Sequence, residues 1–330
     1  MGAGADMDTG LRRNWRPIVL LMVLAPVIAE ILGGAMPVAD FVQPGILIPF
    51  TVFLYGLPVL VIREVAARLR FGLPALWVLG MVYGLFNEGL LSETLYAGLD
   101  HAIAAHADYG VVAGIRVPWL LYILPWHGLF SVVTPIVLVD GLFPARAGRP
   151  LLPKAAAWCI AVGVGGLAVA RFLLWGENRE VQDTGLFAAH LTLVVAAAAA
   201  LCLIAVRVAA VLRVEDGAEP RGSRWTAFAT GAALYLLAFI GLSLLVEAAA
   251  PPLVTVAYFA LVVACGLRAV TRRPHLARAE GTAFVLGSGS AYAGFAVVAG
   301  SLLGDVVWAA TGACFLAAYL TAATRIARSR

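Results

Sequence analysis

Residues 11–34 read LRRNWRPIVLLMVLAPVIAEILGG. Arg12, Arg13 and Arg16 lead into an apolar run that is interrupted, near its far end, by Pro26 and one carboxylate, Glu30. About 20 apolar residues are what an α-helix needs to cross a hydrocarbon core of about 30 Å. The first span is therefore placed at 17–36. Nine similar runs follow at 45–66, 73–91, 117–139, 154–174, 186–206, 227–246, 253–270, 283–302 and 306–324. The chain of 330 residues is 62% hydrophobic and 13% charged, against roughly 25% charged in soluble proteins. A soluble exterior must carry more polar groups than this, so lipid is the solvent for most of the surface. The expected fold is all-α, a polytopic transmembrane bundle of ten spans in a single membrane domain, located in the cell membrane of a prokaryote.

Orientation follows from the basic residues, which concentrate on cytoplasmic connections. Arg12, Arg13 and Arg16 precede the first span; Arg63, Arg68 and Arg70 close the second; Arg146, Arg149 and Lys154 lie between the fourth and fifth. Arg207, Arg213, Arg221 and Arg224, then Arg268, Arg272, Arg273 and Arg278, then Arg325, Arg328 and Arg330 fall at the same end. Only Arg116, Arg171 and Arg179 fall at the other. The pattern predicts both termini in the cytoplasm. The first run also has the basic flank and small residues of a secretion signal, but Glu30 interrupts its core and the topology closes with the span retained.

The net charge of +4 is spread over these connections. No basic, aromatic-interleaved domain is present, which excludes nucleic acid as a partner; the bilayer is the expected one. Cys159, Cys202, Cys265 and Cys314 stand alone in separate apolar runs and read as small packing residues rather than a zinc or redox motif. The sequence divides into residues 1–152, four spans carrying most of the intramembrane polar groups, and 153–330, six Ala/Leu/Gly-rich spans read as scaffold. Small-residue spacings such as Ala161 to Gly165 and Gly287 to Gly294 suit close helix approach. The Gly287–Ser290 run reads as packing too. No internal repeat is visible. The connection at 207–226, with Glu215, Asp216 and Glu219, reads as a mobile cytoplasmic loop.

An ionisable side chain inside a membrane helix costs about 2.5–3.5 kcal/mol on insertion scales, so it needs a partner or a function. Glu30, Glu88 and His127 lie on three different spans. At 1.5 Å per residue all three sit about 18–23 Å from the cytoplasmic edge. Asn87 adjoins Glu88, Ser131 follows His127 by one turn, and Tyr83 precedes Asn87 by one turn. Pro26 and Pro125 break the backbone hydrogen bonding beside Glu30 and His127, and irregular backbone at membrane depth marks a cavity or a buried site. Glu88, His127, Asn87 and Glu30 are the candidate catalytic residues. Glu30, Glu88 and His127 would suit zinc with an open position, although no HExxH spacing accompanies them. At the cytoplasmic end, Arg63, Glu64, Arg68 and Asp140 read as an interfacial salt-bridge network. The outer connection at 92–116 contains Glu93, Asp100, His101, His106 and Asp108; it reads as a solvated loop, with a helical stretch at 99–107 able to cover the site and His190 near its mouth.

Arg63-Glu64-xxx-Arg68, Tyr83-xxx-Asn87-Glu88 and His127-xxx-Ser131 fall on successive spans. Their order resembles the CAAX prenyl protease-like (CPBP) intramembrane proteases over about residues 55–140. That family carries Glu-Glu-xxx-Arg, Phe-xxx-His and His-xxx-Asn/Asp; here Arg63 replaces the first Glu, Asn87 the middle His and Ser131 the last polar residue. The resemblance implies an embedded hydrolase with a glutamate-activated water. YGLFNEGLLSETLY (83–96) and WHGLFSVVTPIVLVDGLFP (126–144) also look like uncharacterised prokaryotic membrane proteins. Three functions fit: an embedded hydrolase or peptidase with Glu88 as base and Asn87 as oxyanion donor, a proton-coupled small-solute transporter, or a non-catalytic scaffold.

Overall fold

The computed structural model describes residues 2–97, 109–175, 184–211, 223–271 and 278–328. Among them, nine helices are long and apolar enough to cross a membrane. The run at 253–270 forms a further helix, Pro252–Thr271, whose apolar stretch Pro252–Gly266 is shorter. Every apolar run of the sequence is thus a helix, and the protein is an all-α, multi-pass membrane bundle. Outside these helices the described residues include a short helix, Val38–Phe41, a 3-10 turn, Pro144–Arg146, and a two-stranded hairpin, Val111–Val112 against Ile115–Arg116. Its turn residues Ala113 and Gly114 both take positive φ, 48° and 76°, as tight hairpins require.

Burial sorts the helices into layers. In the apolar 18-residue stretch of the third (Leu73–Leu91) and fourth (Val117–Leu142) helices 67% of the residues are buried, and in that of the ninth (Ala279–Leu303) 61%. In those of the fifth and sixth, in contrast, 11% are buried, and in that of the tenth 17%. The centre of the bundle is therefore made by helices from both halves of the sequence. One core joins Leu21, Val59, Leu60, Tyr83, Val132 and Val139; a second joins Ile28 and Phe130 to Tyr235, Tyr292 and Tyr319. Trp158, Val162, Leu203 and Leu302 lie well exposed on the perimeter, where hydrocarbon is the solvent.

Close approaches hold the centre together. A Cβ on Gly80 would lie 2.7 Å from the Cα of Gly128, and one on Gly128 would lie 2.7 Å from the carbonyl oxygen of Trp77. Only glycine lets the third and fourth helices meet at this distance. The seventh and ninth make a similar contact, since a Cβ on Gly287 would strike the Phe228 carbonyl, and Ser288 donates to the Gly231 carbonyl at 3.0 Å. The Gly287–Ser290 run is thus a packing device. A Cβ on Gly165 or Gly294 would meet no described atom within 4 Å, so of those two spacings only the Gly287 end is a close helix contact. The cysteines also depart from expectation: all four are free and exposed on the bundle. A small apolar side chain facing hydrocarbon has nothing to gain from burial.

The first four helices are not regular. π-helical turns occur at Val27–Ile31, Pro49–Leu54, Asn87–Leu91 and His127–Val133. Each adds a residue to the turn and opens the ladder. Three lie at or just after a proline (Pro26, Pro49, Pro125), whose ring displaces the carbonyl four residues before it. Trp77 Nε1 donates to the Pro125 carbonyl at 3.0 Å, supplying a partner where the ladder is disturbed.

Candidate functional site

Three of the π-helical turns carry the expected polar residues. Glu30 lies in the first, Asn87 and Glu88 in the third, and His127 with Ser131 in the last. Shifting the helical register there turns these side chains inward together. His127 is at the hub, 2% exposed. Its Nε2 lies 2.7 Å from Glu88 Oε1 and its Nδ1 2.7 Å from Ser131 Oγ. Asn87 Nδ2 sits 3.4 Å from both Glu88 Oε1 and His127 Nε2, and Ser92 Oγ donates to the Asn87 side-chain oxygen at 3.1 Å.

The line continues beyond Glu88. Thr94 Oγ1 donates to Glu88 Oε2, and Trp119 Nε1 donates to Thr94 Oγ1 at 3.0 Å. Arg116 holds the Thr94 carbonyl at 3.0 Å. Thr94 and Arg116 lie where the sequence suggested a solvated loop, yet Arg116 is 4% exposed and Glu93, beside Thr94, 0%. Glu93 is ion-paired with Arg171. Two of the three basic residues that break the charge pattern, Arg116 and Arg171, are therefore structural partners of this cover; Arg179 lies outside the described residues. His190 bonds the hairpin tip, Nε2 to the Ala113 carbonyl at 2.9 Å, and stacks on Tyr96 at 4.7 Å. Asp100, His101, His106, Asp108 and the 99–107 stretch, like most of the 207–226 connection, lie outside the described residues.

Glu30 joins the group indirectly. Tyr55, which follows the π-helical turn of the second helix, donates its hydroxyl to Glu30 Oε1, and its ring lies 6.5 Å from that of His127. Tyr83 meets the group beside Tyr55, ring to ring at 5.7 Å. It donates to the Leu54 carbonyl at 2.9 Å and sets its ring edge-on to His127 at 5.4 Å. Trp126 packs on the other side of the imidazole at 5.0 Å, and the ninth helix supports it through Tyr292 at 6.0 Å.

Chemically, this is a carboxylate and an imidazole in direct contact within an aromatic shell. An ionised Glu88 accepts Nε2–H, while Nδ1 accepts from Ser131 or donates to it according to the protonation of the ring. Among the described residues, none of the buried polar side-chain atoms left unpartnered belongs to this group. As a zinc site the set does not fit: Glu30 is turned to Tyr55, and both oxygens of Glu88 accept hydrogen bonds. Among the described residues no three His, Cys, Asp or Glu side chains are grouped to hold a metal ion.

The second polar cluster is a clamp. Arg63 bonds Asp140 at 2.7 Å and the carbonyls of Arg146 and Arg149 at 3.0 and 2.9 Å. Glu64 accepts from the Leu151 amide at 2.5 Å and from Arg68 at 2.9 Å. The Leu151 and Leu152 carbonyls accept from Asn14 and Arg68. The salt-bridge network expected here also binds the 146–152 backbone to the first, second and fourth helices.

Sequence reading missed Tyr55, Thr94 and Trp119. A tyrosine inside an apolar span was the available signal for the first, since a buried phenol needs a partner. Thr94 and Trp119 reach Glu88 only through the folding back of the loop. Comparison with curated proteins and with solved structures gives no match. A family model described as an uncharacterized membrane protein family matches residues 19–328, and the chain belongs to that family.

Proposed function

We propose that this membrane protein moves protons through the Glu88–His127 centre and couples them to rearrangement of the surrounding helices, as a proton-coupled transporter of a small solute. The observation that carries this reading is the unbroken line Trp119–Thr94–Glu88–His127–Ser131. Its two ionisable members touch, so a proton passing from imidazolium to carboxylate neutralises both without leaving a charge alone in the bilayer. Glu30 with Tyr55 is the second carrier, and the four π-helical turns are points at which a helix can change register. In this reading the arginine-rich end faces the cytoplasm of a prokaryotic plasma membrane, and the relay lies in the outer half.

Purified protein in proteoliposomes on a solid-supported membrane tests it. A pH jump should displace charge in the wild type, and Glu88→Gln and His127→Asn should abolish the signal while remaining folded. A wild type that moves no charge would sink the reading. Variants that lose only thermal stability would point to a scaffold instead.

The Ser131–His127–Glu88 line supports a second reading, an embedded hydrolase, because it sets a hydroxyl, a base and an orienting acid within hydrogen-bond reach. Asn87 would be the oxyanion donor. The CPBP resemblance would assign water activation to Glu64, but both Glu64 oxygens already accept hydrogen bonds in the clamp, and Ser131 is 0% exposed. Labelling of Ser131 by a fluorophosphonate probe, lost in Ser131→Ala, would favour this reading over transport.

A further inference from the structure

The segment that follows the third helix forms one body with the hairpin. The amides of Arg116 and Ala97 donate to the carbonyls of Leu95 and Gly114 at 2.9 and 2.8 Å. This cover, residues 92–97 and 109–116, lies against the helical turn that carries Glu88. Thr94 donates to the Glu88 carboxylate, and the Tyr96 hydroxyl donates to the Gly89 carbonyl at 2.8 Å. Leu95 and Tyr96 are buried, whereas Val112 of the hairpin is 65% exposed. We propose that the cover is a spring-loaded gate over the Glu88–His127 centre, and that the phenol of Tyr109 is its latch.

Ties run from the cover to three neighbouring helices. Glu93 pairs with Arg171 of the fifth, Lys154–Trp175. The Ala113 carbonyl meets His190 of the sixth, Thr184–Val211. Tyr109 donates its hydroxyl to the Ala250 carbonyl at 2.6 Å and lies 2.6 Å from Oγ1 of Thr255, a fully buried residue in the first turn of the eighth.

The backbone is strained at each tie. Four non-glycine residues hold positive φ among the described residues: Arg70, Glu93, Ala113 and Ala249. Arg70 ends the second helix. Each of the other three stands at a tie, Ala249 directly before the carbonyl that receives Tyr109. A side chain at such φ costs free energy and persists only where surrounding contacts impose it, as at clamps and switches. The closed cover therefore stores part of what its opening needs.

The ties differ in strength. Releasing buried Glu93 from Arg171 would uncover a charge, so this pair is the pivot. Tyr109 is neutral and half-buried, and its hydroxyl finds water on release. Gly110 beside it is seated between the starts of the fourth and eighth helices, where a Cβ would lie 2.7 Å from Pro118 and 3.2 Å from Pro252. Turning about Glu93, the cover parts Thr94 from Glu88 and opens the centre to water at the end opposite Arg63.

Cysteine accessibility in nanodiscs tests the gate. With Cys159, Cys202, Cys265 and Cys314 replaced by alanine, Leu95→Cys reports opening of the cover. Val139→Cys, at a buried position next to Asp140 of the clamp, reports loosening of the whole bundle. A water-soluble maleimide should label Leu95→Cys slowly. Tyr109→Phe should speed this about tenfold, the scale of the hydrogen bonding it removes, and leave Val139→Cys unchanged. Ala249→Gly relaxes the closed backbone and should slow labelling of Leu95→Cys about threefold; it decides the matter if Tyr109→Phe fails to fold. Equal rates at Leu95→Cys with and without Tyr109→Phe would overturn the gate. So would equal acceleration at Val139→Cys, or faster labelling in Ala249→Gly. These rates read the cover alone and hold whether or not protons pass through Glu88.

Discussion

The two polar clusters of this protein use similar carboxylates and different bases. At the arginine-rich end, Glu64 and Asp140 are met by Arg63 and Arg68 and by backbone groups of 146–152. In the middle of the bundle, Glu88 is met by a histidine, a threonine and an asparagine, with Glu30 on a tyrosine. Guanidinium stays charged at any accessible pH, so the first cluster can only hold its shape. Imidazole and carboxyl together can pass a proton between them, so the second can change charge without moving. The lesson is that the partner, rather than the carboxylate, decides which buried acid is structural and which is available for chemistry.

That contrast can be broken by substitution. Arg63→Ala should be the most damaging change, because Arg63 is 3% exposed and its loss removes the ion-pair partner of Asp140 and a donor to two carbonyls. Removing one partner of a buried ion pair costs about 3–5 kcal/mol, which thermal unfolding in detergent would register as a large fall in Tm. Should Arg63→Ala unfold no earlier than Glu88→Gln, the division of labour is wrong.

A packing change separates position from chemistry. Gly80→Leu adds a side chain against the backbone of Gly128. Such overpacking costs about 1–3 kcal/mol, and it should part Glu88 from His127 although neither is altered. Charge displacement after a pH jump should fall as it does in Glu88→Gln. An unchanged signal would show that the pair does not depend on this contact.

The smallest expected effect lies at the far end of the line. Trp119→Phe removes the donor to Thr94 and should cost about 0.5–1.5 kcal/mol, the net worth of one hydrogen bond. Charge displacement should persist, because Thr94 still donates to Glu88. A Trp119→Phe variant as silent as His127→Asn would move the centre of the relay outward.

Much of the candidate site was legible in the sequence. Asn87 and Glu88 stand together in an apolar span, and His127 and Ser131 are one turn apart. The prolines mark three of the four places where the helices lose their regularity. What could not be read is which groups complete the line. Thr94 and Trp119 are ordinary residues of a loop and a helix start, and they reach Glu88 only because the segment after Leu91 folds back beneath the hairpin. Arg116 and Arg171 looked like stray charges until the structure gave each a buried partner.

Composition and the length of the apolar runs determined by themselves that the chain is a multi-pass helical membrane protein, because a bilayer admits few other ways to satisfy the backbone. They determined also that a few acids and one histidine lie at similar depth. The tertiary structure alone decided which helices are central. The ninth, 61% of whose apolar stretch is buried, comes from the half that read as scaffold. In lipid, apolar composition does not distinguish a helix facing its neighbours from one facing hydrocarbon; only the packing of Gly80 on Gly128 and of Tyr292 on Trp126 and Phe130 does.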